Sequence, residues 1–226
     1  MVGPRGDAPA GFDSPPGVGM CCSMKRIAIV YGTTEGQTAR IAQHLGAFAR
    51  AQGYGADVLH AAELPDEFDL EDYDGVIVGA SIHEGRHQRY VVRGVKQHKA
   101  ALSRIPSAWF SVCLAIHSVN TKERAEAAAF PRQMAEKTGW KPDASAVFAG
   151  ALMYTKYSWL KRMVLKQIAR KEGGSTDTSR DHEYTDWAQV DRFADALLDR
   201  VDRPEKKRAS APARPGRRRA ASAVAG

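Results

Sequence analysis

The run Lys25-Arg-Ile-Ala-Ile-Val-Tyr-Gly-Thr-Thr-Glu-Gly-Gln-Thr38 decides the fold. Residues 25–31 are a short apolar, β-branched run, the pattern of a parallel strand buried on both faces. A helix pattern follows at once over residues 36–52, where Ala39, Ile41, Ala42, Leu45, Phe48 and Ala49 recur at spacings of three and four until Gly53 and Gly55 stop it. Between them, a loop of hydroxyl side chains with a Gly at a helix N-terminus offers backbone N–H and O–H donors to one anion, and the helix dipole adds to the attraction. Thr33, Thr34, Glu35, Gly36, Gln37 and Thr38 are therefore the candidate phosphate cradle. The loop has no Lys, unlike a Walker loop, and no G-x-G-x-x-G. A phosphomonoester held by neutral donors suits it better than a triphosphate with Mg²⁺. On the residues alone, an ordinary Thr-rich strand-to-helix turn reads the same way.

Outward from this stretch the pattern repeats. Residues 56–60, 73–79, 108–115 and 144–150 read as four further strands, and residues 89–102, 122–138 and 187–201 as helices between and after them. Alternation of this kind predicts an α/β fold, a doubly wound five-stranded parallel sheet with helices on both faces. Ligands of such sheets bind beyond the carboxyl ends of the strands, which singles out the residues after Val30, Val78, Val112 and Phe148.

The formal net charge of +7 and pI of about 9.4 would suit a polyanionic partner, but the charge is unevenly placed. Arg203, Lys206, Lys207, Arg208, Arg214, Arg217, Arg218 and Arg219 face one acid, Glu205, and residues 25–202 are close to neutral. No specific nucleic-acid partner is expected. Three cysteines, Cys21, Cys22 and Cys113, make neither a disulfide framework nor a four-ligand metal site, so a reducing cytosol is expected and a metal is not. No run approaches the roughly 20 apolar residues of a membrane-spanning helix. Residues 1–24 read as a disordered leader or a misassigned start, residues 25–202 as one domain, and residues 203–226 as a disordered basic tail.

The phosphate loop resembles that of the flavodoxin family, which reads S/T-x-T-G-x-T. Thr33, Gly36 and Thr38 match, whereas Glu35 stands where the pattern has Thr. A carboxylate there would repel a phosphate, so Glu35 is expected to face solvent or cap the helix. The resemblance narrows with residues 79–85 (Gly-Ala-Ser-Ile-His-Glu-Gly), 106–112 (Pro-Ser-Ala-Trp-Phe-Ser-Val), 149–154 (Ala-Gly-Ala-Leu-Met-Tyr) and 184–187 (Tyr-Thr-Asp-Trp). In this order, and with the phosphate loop, they are similar to the flavodoxin-like family of menaquinone-dependent protoporphyrinogen IX dehydrogenases.

That resemblance implies FMN as cofactor, with its ring between the loops after the third and fourth strands. Ser81 and Ile82 on one side, and Val112, Cys113, Leu114 and Ala115 on the other, are the candidate ring contacts, with Gly79 and Gly85 allowing close approach. The same residues also read as plain end-of-strand packing. His83 and His87 are the kind of side chain that shuttles protons near neutral pH, but no catalytic residue is assigned. Cys113 reads as buried and inert.

Residues 154–171, between the fifth strand and the last helix, hold six basic residues and no acid. Lys156, Trp159, Lys161, Arg162 and Lys166 fit a basic amphipathic helical insertion that meets an anionic membrane surface or the carboxylates of a porphyrinogen, and equally a core helix with a solvated face. The resemblance thus implies oxidation of protoporphyrinogen IX to protoporphyrin IX in haem synthesis. Electrons would pass to menaquinone or ubiquinone, and the enzyme would lie peripherally on the inner face of the cell membrane. A flavodoxin-type electron carrier and an NAD(P)H:quinone reductase are the competing readings.

Overall fold

The computed structural model describes residues 24–152 and 182–203. β1 (Arg26–Gly32) enters α1 (Gln37–Ala51), and β2 (Gly55–His60) follows. A connection containing one 3₁₀ turn (Leu70–Asp72) leads to β3 (Gly75–His83), whose end folds back as the two-residue β4 (Arg86–His87). Next come α2 (Arg89–Gln97), α3 (Lys99–Leu102), β5 (Ser107–Val112), a 3₁₀ turn (Leu114–His117), α4 (Thr121–Ala128), α5 (Phe130–Thr138) and β6 (Ala144–Phe148). A short antiparallel pair, β7 (Ala151–Leu152) and β8 (His182–Glu183), precedes α6 (Trp187–Asp202).

The sheet order is β2-β1-β3-β5-β6, all parallel, with β4 added antiparallel to β3. The expected five-stranded doubly wound sheet is present, and β4 adds a sixth short strand. Successive side chains of a strand point to opposite faces, so β1 sends Ile27 and Ile29 one way and Ala28 and Val30 the other. Ile27 and Ile29 pack with Ile41 and Leu45 of α1 and with Phe193 and Leu197 of α6. Ala28 and Val30 pack with Val91, Val92 and Val95 of α2, Met134 of α5, and Trp140. Both layers are built of buried apolar side chains, and their burial is the main stabilising term for such a fold.

Several helix and strand boundaries differ from the sequence expectation; the strands expected over 108–115 and 144–150 end earlier, at Val112 and Phe148, and Leu114–His117 is a 3₁₀ turn. The helix expected over 122–138 is two helices, because Pro131 has no N–H to give Ala127 and its ring disfavours helical geometry before it. The helix expected over 89–102 breaks at His98 into α2 and α3. β3 runs on four residues past Gly79, and Gly79 is there for packing. A Cβ on it would lie 2.0 Å from Cζ of Phe110, so the ring of Phe110 occupies the space that a side chain would need.

Register brings the strand ends together. Gly32 pairs with Ala80, Ser81 with Val112, and Val112 with Phe148, so the segments after β1, β3, β5 and β6 all leave the sheet at one edge. The pairing of Ala151 with Glu183 and Leu152 with His182 sets the two ends of residues 153–181 side by side at that edge. The proposed insertion residues Lys156, Trp159, Lys161, Arg162 and Lys166 lie outside the described residues.

Candidate functional site

The loop after β1 is shaped by its own hydroxyls. Thr33 Oγ1 accepts from Gly36 N at 2.9 Å, and Gly36 takes φ = 97°, a left-handed conformation that suits Gly and turns the chain into α1. The first N–H groups of α1 have no intrahelical partner. Thr38, fully buried in that first turn, has a hydroxyl with no hydrogen-bond partner. A buried hydroxyl left unmatched costs about 1–3 kcal/mol, so its presence among free N–H groups marks a place that an anionic oxygen would satisfy. Thr34 is exposed, and its Oγ1 accepts from Gln88 Nε2 at 3.0 Å. Glu35 is partly buried and takes part in an interaction with its surroundings.

Gln37 departs from the simple cradle. Its side chain is buried and donates from Nε2 to Glu183 Oε1 at 2.8 Å and to Thr185 Oγ1 at 2.9 Å, while its Oε1 accepts from Arg40 Nη1 at 3.2 Å. Arg40 also pairs with Glu183 at 3.2 Å, and Thr185 Oγ1 donates to the Ala149 carbonyl at 2.9 Å. The side chain of Gln37 thus ties the phosphate loop to the β8 end of the insertion, and only its backbone N–H remains for an anion.

The loop after β3 is a hairpin. Glu84 (φ = 51°) and Gly85 (φ = 73°) are both left-handed, the pattern of a two-residue turn that matches the twist of paired strands. The hairpin places Ile82 opposite His87. His87 is partly buried, with Nε2 3.0 Å from Ser111 Oγ and its ring edge-on to Trp109 and Phe130. Burial, helped by the charge of Lys137, pushes its pKa down to about 4, so it is neutral at physiological pH. His83, by contrast, is exposed at the tip. Gln88 bridges the two loops, since its amide donates to Ser81 Oγ as well as to Thr34. Sequence reasoning did not single out Gln88; its one local signal is a polar residue at the start of α2.

The third wall is the segment after β5. Val112 and Cys113 are buried, so they offer backbone groups alone to a ligand. Burial raises the pKa of the Cys113 thiol, against the pull of the Ala115 and Ile116 N–H groups, and keeps it protonated. Leu114 and Ala115 are half-exposed on a 3₁₀ turn, with His117 stacking near Tyr184 at 5.5 Å. The result is a candidate anion cradle at the start of α1, flanked by two loops that present backbone groups and few charges. Among the described residues no three His, Cys, Asp or Glu side chains gather as a metal site.

The flavodoxin domain model matches residues 28–179. The chain belongs to the flavodoxin-domain family. Among the relatives is the protoporphyrinogen IX dehydrogenase (quinone) of Escherichia coli strain K12, 36% identical over 179 residues, which cover 79% of this chain and 98% of the relative. A protein of the same name from Leishmania major is 34% identical over 176 residues, covering 77% of this chain and 75% of its own. Solved structures that resemble it include oxidised flavodoxin 1 from Bacillus cereus, with 14% identity, a TM-score of 0.47, and 77% of this chain and 98% of that one covered. An archaeal flavodoxin matches at 14% identity with a TM-score of 0.48, over 78% and 99% of the two chains. In this flavodoxin-domain chain, residues 33–38 and the loops after β3 and β5 lie together at one edge of the sheet.

Proposed function

We propose that the protein oxidises protoporphyrinogen IX to protoporphyrin IX with FMN and passes the electrons to a membrane quinone. The observation that carries this reading is the match at 36% identity along almost the whole length of a protoporphyrinogen IX dehydrogenase. Thr38 Oγ1 and the N–H groups of the first turn of α1 would hold the FMN phosphate, and the left-handed Gly36 lets the backbone wrap it. Backbone groups near Ser81, Ile82, Leu114 and Ala115 would take the polar edge of the ring. Bound there, FMN supplies two-electron transfer, so a six-electron oxidation takes three rounds. The described loops place no aromatic side chain at Ile82, Leu114 or Ala115, which leaves the ring open to an organic substrate.

The unit that performs this reaction is residues 25–202, working on the inner face of the cell membrane. No described helix is long and apolar enough to cross a bilayer, and the basic residues of 154–171 suit a peripheral contact. The test is direct. Purified protein is examined for bound flavin by its visible spectrum, then supplied with protoporphyrinogen IX while porphyrin fluorescence is followed with and without a quinone. Fluorescence that needs the quinone supports the dehydrogenase. Flavin binding with NADPH-driven quinone reduction alone would make it a reductase instead, and failure to bind FMN would end the flavin reading.

A further inference from the structure

Residues 75–121 contain one acid, Glu84, against Arg86, Arg89, Arg93, Lys96, Lys99 and Arg104. The structure arranges much of that charge on one face. At 100° per residue Arg89, Arg93 and Lys96 fall within about 60° of one another on α2, on the side away from the buried Val91 and Val95, and all three are exposed. Arg86 extends the stripe onto the β3–β4 hairpin beside the site. Among the described residues none of these four forms an ion pair, whereas Arg104 pairs with Glu71 at 3.3 Å. The acids on the run into β3, Asp69, Glu71, Asp72 and Asp74, lie at the opposite edge of the sheet from the site. The loop after β2, which carries Glu63, Asp66 and Glu67, packs beside α2 through Ala61, Leu64 and Phe68, so the basic stripe is a local one, bordered by acids on that side.

We infer that the Arg86–Arg89–Arg93–Lys96 face docks the protein on an anionic lipid surface, with the site edge turned toward the bilayer. The inference rests on the quinone reading above, because that acceptor resides in the membrane and must reach the loop edge at which the stripe begins. Large exposed apolar side chains among the described residues are Met24 and Val119 alone, neither on this face. Attachment here is accordingly electrostatic and salt-sensitive, without deep insertion. The face also lacks exposed aromatic residues of the kind that stack on bases, which favours lipid over single-stranded nucleic acid.

The experiment uses the full FMN-loaded chain and sedimentation with phosphatidylcholine vesicles, with or without phosphatidylglycerol. The triple variant Arg89→Glu/Arg93→Glu/Lys96→Glu is compared with Lys122→Glu/Arg132→Glu/Lys141→Glu, an equal charge change at exposed positions off the stripe. Affinity for the anionic vesicles should fall about tenfold or more in the first and far less in the second. Flavin absorbance and turnover with a water-soluble quinone should stay at the wild-type level in both. Equal losses in the two variants, unchanged binding in the first, or wild-type protein that binds duplex DNA but not vesicles would overturn the docking face, as would loss of soluble turnover in the first variant. Wild-type protein that sediments with vesicles yet never oxidises protoporphyrinogen would instead defeat the functional reading and leave the lipid contact measurable.

Discussion

The phosphate loop and the β3–β4 hairpin flank one site but are held in opposite ways. The loop is braced by charged and amide side chains from across the sequence: Gln37 and Arg40 reach Glu183 and Thr185, and Gln88 reaches Thr34. The hairpin is anchored by the neutral His87 imidazole on Ser111 and by the Gln88 amide on Ser81, and ends in an exposed left-handed turn. The braced loop is suited to holding a fixed anion, and the exposed hairpin tip to meeting a bulky substrate. The contrast extends to charge: the loop's brace includes the Arg40–Glu183 ion pair, whereas the hairpin's His87 is neutral at physiological pH.

The largest way to break this comparison is acid. His87 binds its proton at about pH 4 in the folded protein and at about 6.5 in the unfolded chain, so the unfolded state takes up the proton first as pH falls. Its contribution is fully present above pH 6.5 and is lost progressively toward pH 4, by roughly 3 kcal/mol in all. Urea melts across that range should show the loss in wild type and a flatter profile in His87→Gln.

Thr38→Val comes next. Removing a hydroxyl that has no partner leaves the apoprotein as stable or slightly more so, while FMN affinity falls about tenfold to a hundredfold for the lost bond to phosphate. Fluorescence titration of FMN, paired with apoprotein melting, separates the two effects. A smaller effect is expected for Glu183→Gln, which weakens the brace on Gln37 and the ion pair to Arg40. Stability should drop by about 1 kcal/mol and FMN affinity by a few-fold, read by the same titration. Smallest is Gly85→Ala at the hairpin tip. No atom lies within 4 Å of the new Cβ, so the cost is backbone strain alone, about 1 kcal/mol in a thermal melt, with FMN affinity kept.

How far these regions could be read in advance follows from the range of their interactions. β1, the phosphate loop and α1 were legible because a β-branched run, a hydroxyl-rich turn and a helical repeat are local signals. The hairpin was not, because Gly79 looks like a strand terminator and is instead a strand residue making room for Phe110. Gln37 was expected on the phosphate for its position in the motif. Its side chain instead answers to Glu183, a partner 146 residues away, which no local pattern announces. Gln88 was missed for the same reason: its partners, Thr34 and Ser81, belong to two different loops that only the parallel register brings together.

The most direct measurement of the central claim is stoichiometry. In anaerobic single-substrate reactions with FMN-loaded protein, quinol and protoporphyrin IX are quantified together. A two-electron cofactor serving a six-electron oxidation predicts about three quinols for each porphyrin formed, with none formed when FMN is stripped. Porphyrin appearing without quinol, or quinol appearing only when NADPH is added, would contradict it.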